Sequence, residues 1–368
     1  MTLMLKAVSG SIALIICTLL AGVVHAAEPL PSTARKIVLE KAEMGYRWKL
    51  IEAAVPQPGD RQVLVRVRAV GLNRGDWEML GFDNKSGALV GRVPSSDAAG
   101  DIVAVGKGVK GLRPGTRVTS LYFRNWTDGP ASKEILNAAH GFDVDGVLGE
   151  YVVLEETAVV PAPKGLTYEE AATLPTAGLT AFMATVGQNE VRDKYVLVQG
   201  TGGVSIFALQ FAAAAKGRVL VTSSSDDKLA LTRKMGATDG INYKTYPKWS
   251  EQVLALTNGH GADLVVDVGG KDTLEQSVKS LSYGGLLSIV GGLSGYDGTI
   301  SSLGLLNKTA SARGVYVGSR ADYLRMSKFI VEHQLHPVID RVFPLDQYEA
   351  ALEHLRNGNP VGRVVLKL

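Results

Sequence analysis

Cysteine is almost absent from this sequence, because Cys17 is the single cysteine among 368 residues. One thiol cannot form an intrachain disulfide, and it cannot build a zinc site from several thiolates. Cys17 also lies in an N-terminal segment that we expect to be removed. The mature chain is therefore expected to contain no cysteine, which excludes a cysteine nucleophile.

An excess of charge of one sign is missing as well. Lysine and arginine number 39 against 36 aspartates and glutamates, so the formal net charge is +3. Both signs are interspersed and form no basic stripe, which argues against a nucleic-acid partner. The sequence also lacks internal repeats, low-complexity tracts and long linkers. Its apolar content of 46% is ample for one large domain or two ordinary ones.

Residues 1–26 have the features of a secretory signal peptide. Lys6 precedes the apolar run Ala7–Val24, and Val24–His25–Ala26 is a small-x-small cleavage signature. We expect Sec-type export, cleavage before Ala27 and a periplasmic location in a Gram-negative host. The alternatives are an uncleaved N-terminus that holds the protein at a membrane, and a cytoplasmic protein whose N-terminus is not a signal.

The segment Tyr195–Ser205 is the most informative part of the chain. Val196–Val198 predicts a buried strand, a glycine-rich turn follows, and Val204–Lys216 predicts a helix. Such a turn lets backbone N–H groups and a helix N-terminus approach a pyrophosphate. Ser205 stands where the G-x-G-x-x-G pattern has its third glycine, which weakens the match, and an ordinary tight turn is the alternative. The residues predicted to bind the dinucleotide here are Gly200, Thr201, Gly202, Gly203 and Val204.

The end of the next predicted strand, Arg218–Thr222, indicates which dinucleotide is bound. No carboxylate follows directly to bind a ribose 2′-hydroxyl; Ser223 and Ser224 follow instead, and Lys228 lies one helical turn further on. Hydroxyls and an ammonium suit a 2′-phosphate, so we predict NADPH rather than NADH. Tyr243, after the third strand, is predicted to contact the adenosine side. The alternative is a serine-rich helix cap with a solvated lysine.

The pattern of predicted elements changes along the chain. From Arg35 to Pro161, short β-branched runs between glycine and proline turns predict a barrel-like all-β unit. From Thr167 onward, strands alternate with helical segments, which predicts a parallel, doubly wound sheet. The segments after Gly292 are expected to return to the first unit. The predicted domains are a catalytic domain of residues 27–160 and 305–368, and a cofactor domain of residues 161–304.

Five motifs together resemble those of the medium-chain dehydrogenase/reductase superfamily. They are Ala69–Asp76, Ser96–Gly100, Gly115–Val118, Ala171–Pro175 and Val196–Ser205. Within the superfamily the chain looks like the zinc-independent quinone-oxidoreductase and alcohol-dehydrogenase-like branch. The resemblance implies an α/β fold, with a GroES-like β-barrel-type catalytic domain and a Rossmann cofactor domain built on a doubly wound parallel sheet. It also implies a homodimer that forms through edge strands near Ser288–Gly292 and Thr299–Leu303.

The resemblance departs from zinc alcohol dehydrogenases at the metal ligands. Asn73 stands at the position of a cysteine ligand and Ser96 at that of a histidine ligand. The third ligand position falls in Pro175–Gly178, which contains no cysteine, and Tyr122–Val147 replaces the cysteine-rich structural zinc lobe. The histidines do not build another site. We therefore predict no metal site and no zinc.

The expected absence of a metal Lewis acid limits which substrates the enzyme can reduce. The oxyanion that develops on a simple ketone or alcohol is harder to stabilise without a metal. An enone or a quinone demands less, because hydride addition leaves a delocalised anion that hydrogen bonds can stabilise. By the resemblance, Asn73 is expected to donate to the substrate oxygen, Thr176 to orient the carboxamide or substrate, and Asp76 to fix the loop or relay a proton. Helix capping is the alternative for Asp76.

Two further groups complete the predicted site. Gly269 and Gly291 follow predicted strands at their carboxyl ends, which suits the nicotinamide side of a crevice. Aromatic residues are predicted to form the pocket walls, with burial in the core as the alternative: Tyr122, Phe123, Trp126 and Tyr316.

The expected activity is an NADPH-dependent, zinc-free reduction of small-molecule quinones, enones or aldehydes. An NAD(P)-dependent alcohol dehydrogenase is the nearest alternative. A non-catalytic NADPH-binding sensor or structural protein is an alternative of a different class.

Overall fold

The structure is a computed structural model, and it describes residues 29–368. The predicted signal peptide, its cleavage site and Cys17 lie outside the described residues. From Ser32 to Leu368 the chain forms one compact unit. The domain boundaries near residues 160 and 304 therefore stay predictions. Within residues 29–368, no helix is both long enough and apolar enough to cross a bilayer.

The strands of the first half form where buried side chains alternate with more exposed ones. In the third strand Val65, Val67 and Ala69 are buried, whereas the intervening Arg66 and Arg68 are half-buried. This period of two is that of a strand with one face in the core. In chain order these strands are β1 (Thr33–Lys41), β2 (Tyr46–Ala54), β3 (Gln62–Leu72), β4 (Asp97–Val105), β5 (Arg117–Ser120), β6 (Tyr151–Glu155) and β7 (Val159–Pro161).

The second half contains a six-stranded sheet in which every neighbouring pair is parallel. Its strands are β8 (Tyr195–Gln199), β9 (Arg218–Ser223), β10 (Asp239–Asn242), β11 (Ala262–Asp267), β12 (Leu281–Ile289) and β13 (Ser311–Gly314). Their order is β10-β9-β8-β11-β12-β13, so the strand order reverses between β8 and β11. This arrangement confirms the predicted doubly wound sheet, and the reversal point is where such sheets bind ligands.

The C-terminal strands return to the first sheet. They are β14 (Ile339–Pro344) and β15 (Arg363–Lys367), and β15 pairs with β3 in antiparallel fashion. The first sheet then has the order β14-β15-β3-β4-β5-β7, with β6 also paired to β3, while β1 and β2 form a separate hairpin. The chain therefore has the predicted α/β fold, with a GroES-like unit beside a Rossmann-like sheet.

Side-chain caps set the starts of several helices. Thr167 Oγ1 accepts a hydrogen bond of 3.1 Å from Glu170 N, and Ser319 Oγ accepts one of 3.1 Å from Asp322 N. Such caps satisfy N–H groups that a helix leaves free at its start. The helices are α1 (Arg74–Glu78), α2 (Lys133–Leu136), α3 (Tyr168–Ala171), α4 (Leu179–Ala184), α5 (Gly203–Ala214), α6 (Asp226–Lys234), α7 (Trp249–Leu256), α8 (Leu274–Ser280), α9 (Ser302–Lys308), α10 (Arg320–Glu332) and α11 (Tyr348–Asn357).

The predicted position of the dimer edge is wrong. Ser288 lies in β12, which is interior because it pairs with both β11 and β13. The range 299–303 is not a strand, since Ser301 Oγ accepts a hydrogen bond of 3.0 Å from Gly304 N and starts α9. Among the described strands, β13 is the edge of the parallel sheet on this side.

One apolar core is shared by the two sheets. Ala69 and Ala99 of the first sheet belong to the same buried cluster as Val196 and Val198 of the parallel sheet. A second cluster fills the interior of the first unit, and a third lies on the parallel sheet, around Leu197 and Val265. The shared core brings the carboxyl ends of the parallel strands close to β3 and β4, where the candidate site lies.

Candidate active site

The glycine-rich turn joins β8 to α5 as the sequence predicts. Gly200 has φ +75°, a conformation that favours glycine. Gly202 precedes the first residue of α5, Gly203, and Val204 is the second. Ser205 folds onto the turn, because its Oγ donates a hydrogen bond of 2.6 Å to the carbonyl of Gln199. Serine therefore replaces the third glycine without blocking the turn.

Arg363 is a residue of this site that the sequence did not reveal. It is 6% exposed, and its side chain packs against the glycine-rich turn. A Cβ atom at Gly203 would lie 2.6 Å from Arg363 Cδ, so only glycine leaves room there. The neighbouring Gly362 N donates a hydrogen bond of 3.0 Å to the carbonyl of Thr201. The last strand thus places a buried guanidinium against the predicted pyrophosphate site.

The charge of Arg363 is only partly matched by the protein. Nη2 lies 3.5 Å from Asp97 Oδ2, while Nε is buried without a hydrogen-bond partner among the described residues. Burial lowers the pKa of Arg363, and the carboxylates of Asp97 and Asp76 oppose that shift. An arginine stays charged in proteins. A phosphate oxygen beside Nε would satisfy this donor, so these residues fit a dinucleotide.

The residues predicted to choose the cofactor gather at the ends of β9 and β10. Ser223 is the last residue of β9 and is 2% exposed, and Tyr243 N donates a hydrogen bond of 3.0 Å to its carbonyl. Ser224 follows it half-buried. Lys228 Nζ donates a hydrogen bond of 2.6 Å to the carbonyl of Asn359. The ammonium is thus engaged with the loop before β15, and two of its three donors remain for another acceptor.

Asn73 and Asp76 lie together at the start of α1. Asn73 N donates a hydrogen bond of 2.7 Å to Asp76 Oδ2, which is the capping contact considered as the alternative for Asp76. Asp76 is 1% exposed, and burial raises its pKa to about 7. Asn73 Nδ2 is buried and has no partner among the described residues. An unpaired buried donor is costly, so this amide is poised for an acceptor from a ligand.

Thr176 and Ser96 both bond to Asp97. Thr176, in the π-helical turn Leu174–Gly178, donates to Asp97 through N at 3.1 Å and through Oγ1 at 2.5 Å. Ser96 Oγ donates to Asp97 Oδ1 at 2.7 Å and lies 3.2 Å from Thr176 Oγ1. Burial raises the pKa of Asp97, and the Arg363 charge with these hydroxyl groups opposes the rise. Asp97, absent from the predicted site, is the group that ties its parts together.

The donor atoms at this position do not suit a zinc ion. Zinc is bound in proteins by thiolate, imidazole and carboxylate groups, whereas Asn73, Ser96 and Thr176 offer neutral oxygen and amide groups. Across residues 29–368, no group of three or more His, Cys, Asp and Glu side chains is arranged to hold a metal ion. Asp97 is occupied by Arg363 and the two hydroxyl groups.

The predicted nicotinamide side is organised by Asp267 at the end of β11. This buried carboxylate accepts hydrogen bonds from Gly270 N at 2.9 Å, Gln199 Nε2 at 3.0 Å and Ser277 Oγ at 2.5 Å. A Cβ at Gly269 would lie 2.3 Å from Thr273 Cγ2, so glycine is required in this turn. Asp267 therefore links the turn that contains Gly269 to the strand that leads into the glycine-rich turn. The other predicted glycine, Gly291, lies two residues beyond β12 and is half-buried.

The predicted pocket walls form one aromatic cluster. Tyr122 packs edge-on against Phe123 at 4.7 Å between ring centroids, and Phe123 contacts Trp126 at 5.7 Å and Tyr316 at 5.4 Å. Phe142, which was not predicted, joins the cluster 6.3 Å from Tyr122. Its ring occupies the space beside Gly75 in α1, where a Cβ would lie 2.6 Å from Phe142 Cζ. The cluster therefore reaches the helix that follows Asn73.

Comparison with known proteins adds two family matches. Residues 59–164 match the alcohol dehydrogenase GroES-like domain, and residues 203–332 match the zinc-binding dehydrogenase family. A zinc-type alcohol dehydrogenase-like protein of Schizosaccharomyces pombe is 42% identical over 328 residues, which are 86% of this chain and 94% of that protein. A quinone oxidoreductase of Pseudomonas aeruginosa is 33% identical over 258 residues, 69% of this chain and 72% of that protein.

A solved structure gives the same result. The crystal structure of a putative alcohol dehydrogenase from Sinorhizobium meliloti superposes with a TM-score of 0.86 at 37% identity. The match covers 92% of this chain and all of that chain, 100%. Both sheets of the fold are therefore part of the shared architecture.

Proposed function

The chain belongs to the medium-chain dehydrogenase/reductase superfamily and is an NAD(P)H-dependent oxidoreductase, and from this premise we propose that it is a zinc-independent reductase that uses NADPH. Its proposed substrates are small quinones, enones or aldehydes. One observation carries the proposal: at the positions of the metal ligands, Ser96 and Thr176 donate hydroxyl hydrogen bonds to the buried Asp97, and Asn73 Nδ2 is a buried amide donor without a partner among the described residues. We call Asn73, Ser96 and Thr176 the donor set.

The cofactor would lie across the reversal point of the parallel sheet. The backbone of Gly202 and Gly203 would face the pyrophosphate, and Arg363 would donate to it from the opposite side. Ser223, Ser224 and Lys228 would hold the 2′-phosphate. When bound, the reduced nicotinamide supplies a hydride to the substrate.

The chain's own groups then position the substrate. Because the Thr176 hydroxyl donates its hydrogen bond to Asp97, its oxygen can still accept one from the carboxamide N–H of the cofactor. Asn73 Nδ2 is free to donate to the substrate oxygen. A delocalised enolate or hydroquinone anion needs less stabilisation than the localised alkoxide of a simple ketone, so a neutral amide donor favours conjugated substrates.

Purified protein with NADPH and a panel of quinones, enones and aldehydes tests the proposal, followed by the absorbance of the reduced nicotinamide. We expect turnover of conjugated acceptors and little with simple ketones. Tight NADPH binding without hydride transfer to any acceptor would overturn it in favour of a non-catalytic binding protein.

An NAD(P)-dependent alcohol dehydrogenase is the second candidate, because a relative at 42% identity is named zinc-type. This activity would appear as alcohol oxidation that depends on added zinc. Equal rates of alcohol oxidation with zinc and with a chelator would exclude the zinc-dependent form, and no alcohol oxidation under either condition would exclude the activity.

Two further properties stay proposals. We propose export, on the signal-like pattern of residues 1–26, which N-terminal sequencing of fractionated protein tests; an intact Met1 on soluble cytoplasmic protein would contradict it. We also propose a homodimer through β13, the exposed edge of the parallel sheet, with Leu303 and Leu306 exposed nearby. Monomers in sedimentation at micromolar concentration would contradict the dimer.

A further inference from the structure

Two tyrosine hydroxyl groups from the two sheets meet at the candidate site. Tyr122 lies two residues beyond β5 of the first sheet, and Tyr316 lies two residues beyond β13 of the parallel sheet. Their Oη atoms are 3.3 Å apart, and the rings meet edge-on at 5.9 Å between centroids. The parallel sheet presents its carboxyl ends here, which is the side where the nicotinamide is expected.

The two tyrosines differ in their exposure. Tyr122 is 7% exposed, whereas Tyr316 is 56% exposed. Within residues 29–368, Tyr316 is the one hydrogen-bond partner of the Tyr122 hydroxyl. The pair therefore connects solvent to a buried hydroxyl that keeps a free hydrogen-bonding position.

Tyr122 lies close to the donor set, which together with Asp97 and Asp76 we call the chamber, because Ser120, two residues before it, donates a hydrogen bond of 2.6 Å to the carbonyl of Ser96. Burial raises the pKa of Tyr122, and the Tyr316 hydroxyl and the charges of Asp97 and Asp76 raise it further. Phe142 bridges Tyr122 to α1, since its ring lies against both Tyr122 and Gly75. Tyr122 therefore remains protonated at neutral pH and belongs to the cluster that reaches α1, the helix after Asn73.

The hydroxyl and amide groups around Asp97 are not proton donors to a substrate, and Asp76, whose raised pKa lets it carry a proton near neutral pH, is only 1% exposed. The hydroxyl groups of Thr176 and Ser96 donate their hydrogen bonds to Asp97. The Asn73 amide donates a hydrogen bond but does not ionise, and Asp76 is buried and holds the Asn73 N–H. Reduction by hydride requires one proton per turnover, which favours a donor that can recover its proton from solvent.

We propose that Tyr122 is the catalytic acid that protonates the substrate oxygen, and that Tyr316 relays a proton to it from solvent. This inference rests on the proposed reductase function. When hydride adds to the β-carbon of an enone, the carbon–carbon π pair shifts and the carbonyl oxygen becomes an enolate. Tyr122 gives its proton to that oxygen to form the enol, takes the proton of Tyr316, and Tyr316 takes one from water. Two electrons come with the hydride and one proton comes from solvent, and the enol then converts to the saturated ketone.

The need for the relay depends on the class of substrate. An enolate is strongly basic and needs the proton during or directly after hydride addition. A hydroquinone anion is weakly basic and can leave before it is protonated. Loss of the Tyr122 hydroxyl is therefore expected to slow enone reduction more than quinone reduction.

Three variants test the relay: Tyr122→Phe, Tyr316→Phe and the matched control Tyr323→Phe. Tyr323 is also buried, but its hydroxyl bonds to Thr119 Oγ1 at 2.8 Å, outside the aromatic cluster. We expect Tyr122→Phe to lower kcat for enones roughly 100- to 10,000-fold, with a smaller loss for Tyr316→Phe. Tyr323→Phe is expected to leave kcat within about twofold per folded molecule. The solvent deuterium isotope effect of the wild type should change in the Tyr122 variant.

A binding measurement adds a readout that does not depend on turnover. Para-nitrophenol, with NADP⁺ present, serves as a planar oxyanion probe whose phenolate absorbs in the visible. We expect Tyr122→Phe to weaken its binding about 10- to 100-fold, with NADP⁺ affinity unchanged. Wild-type turnover with equal losses for enones and quinones in Tyr122→Phe, or unchanged probe binding, would overturn the relay and leave the proposed function intact. A wild type that reduces no acceptor would overturn both.

Discussion

At the glycine-rich turn the protein offers mainly backbone to a ligand, whereas around Asp97 it offers side chains. Gly202 has open space where a side chain would project, and the turn is contiguous in the chain from Gly200 to Gly203. The chamber at Asp97 instead collects Asn73, Ser96 and Thr176 from separate segments. Hydrogen bonds to Asp97 hold Ser96 and Thr176, whereas Asn73 is held through its backbone N by Asp76. The first region depends on the absence of side chains, and the second on a charge that must stay paired.

Arg363 connects these two regions, so its removal should have the largest effect. Replacing it in Arg363→Met leaves Asp97 buried without its counter-charge, which costs about 3–5 kcal/mol in the free energy of unfolding. Denaturant unfolding measures this loss. The matched control is Arg341→Met on the neighbouring strand β14, an exposed arginine for which we expect a change within about 0.5 kcal/mol. A loss below about 1 kcal/mol in Arg363→Met would show that the pair does not hold the chamber.

Asp76 gives the chamber a pH-dependent contribution to stability that the glycine-rich turn, which has no titratable side chain, lacks. Its pKa in the folded protein, about 7, lies above the ordinary value of 3.8. The folded state therefore binds the proton more tightly, and this contribution to stability is full at low pH and is lost as the pH rises to about 7. Asparagine does not ionise, so the Asp76→Asn variant does not lose stability from this position as the pH rises.

We therefore expect the stability of Asp76→Asn relative to wild type to rise by about 2 kcal/mol between pH 5 and pH 7 and to level off above. Urea unfolding at a series of pH values measures it. A difference that is constant with pH would contradict the raised pKa.

Lys228 tests the choice of cofactor at the adenosine end. Lys228→Ala should weaken NADPH binding by about 1.5–3 kcal/mol and leave NADH binding nearly unchanged, because only NADPH has the 2′-phosphate. Titration of the two cofactors by fluorescence gives the two affinities. Lys234→Ala, an exposed lysine at the end of the same helix, is the control. Equal losses for both cofactors would mean that Lys228 is a surface residue held by Asn359.

Substitutions at two neighbouring glycines test different requirements. A side chain at Gly203 would clash with the protein, whereas one at Gly202 would occupy space expected for the ligand. In Gly203→Ala the new Cβ meets Arg363, and we expect a stability loss of about 1–3 kcal/mol. In Gly202→Ala the Cβ meets no protein atom, so we expect stability within about 0.5 kcal/mol but weaker NADPH binding. Thermal unfolding and cofactor titration of both variants test this. Unchanged NADPH affinity in Gly202→Ala would remove the turn from the cofactor site.

The fold was predictable wherever neighbouring residues determine it. Strand–helix alternation after Thr167 predicted the parallel sheet, and the short β-branched runs predicted strands of the first sheet. The dimer edge was misplaced because helix α9 starts on the Ser301 cap, and a four-residue strand, β13, then takes the edge position. Which strand lies at an edge depends on pairing between distant segments, which local pattern does not report.

For the site as well, the sequence predicts contiguous motifs but not contacts between distant segments. The contiguous turn Gly200–Gly203 was visible, and Asn73 and Thr176 came from the family resemblance. The sequence does not reveal Arg363, because it lies far along the chain from Gly203 and nothing in its local sequence marks it as buried. A sequence signal did exist at Asp97, which directly follows a metal-ligand position occupied here by Ser96. Its role as the central acceptor became clear only from the hydrogen bonds.

We propose that the hydrogen-bonded chamber at Asp97 supports hydride transfer without zinc. The most direct test is to measure the zinc content and the NADPH-dependent rate with a conjugated acceptor in the same purified sample, before and after chelation. We predict turnover by protein with far less than one zinc per chain, and an unchanged rate after chelation. Zinc bound at one ion per chain and lost together with activity would contradict it.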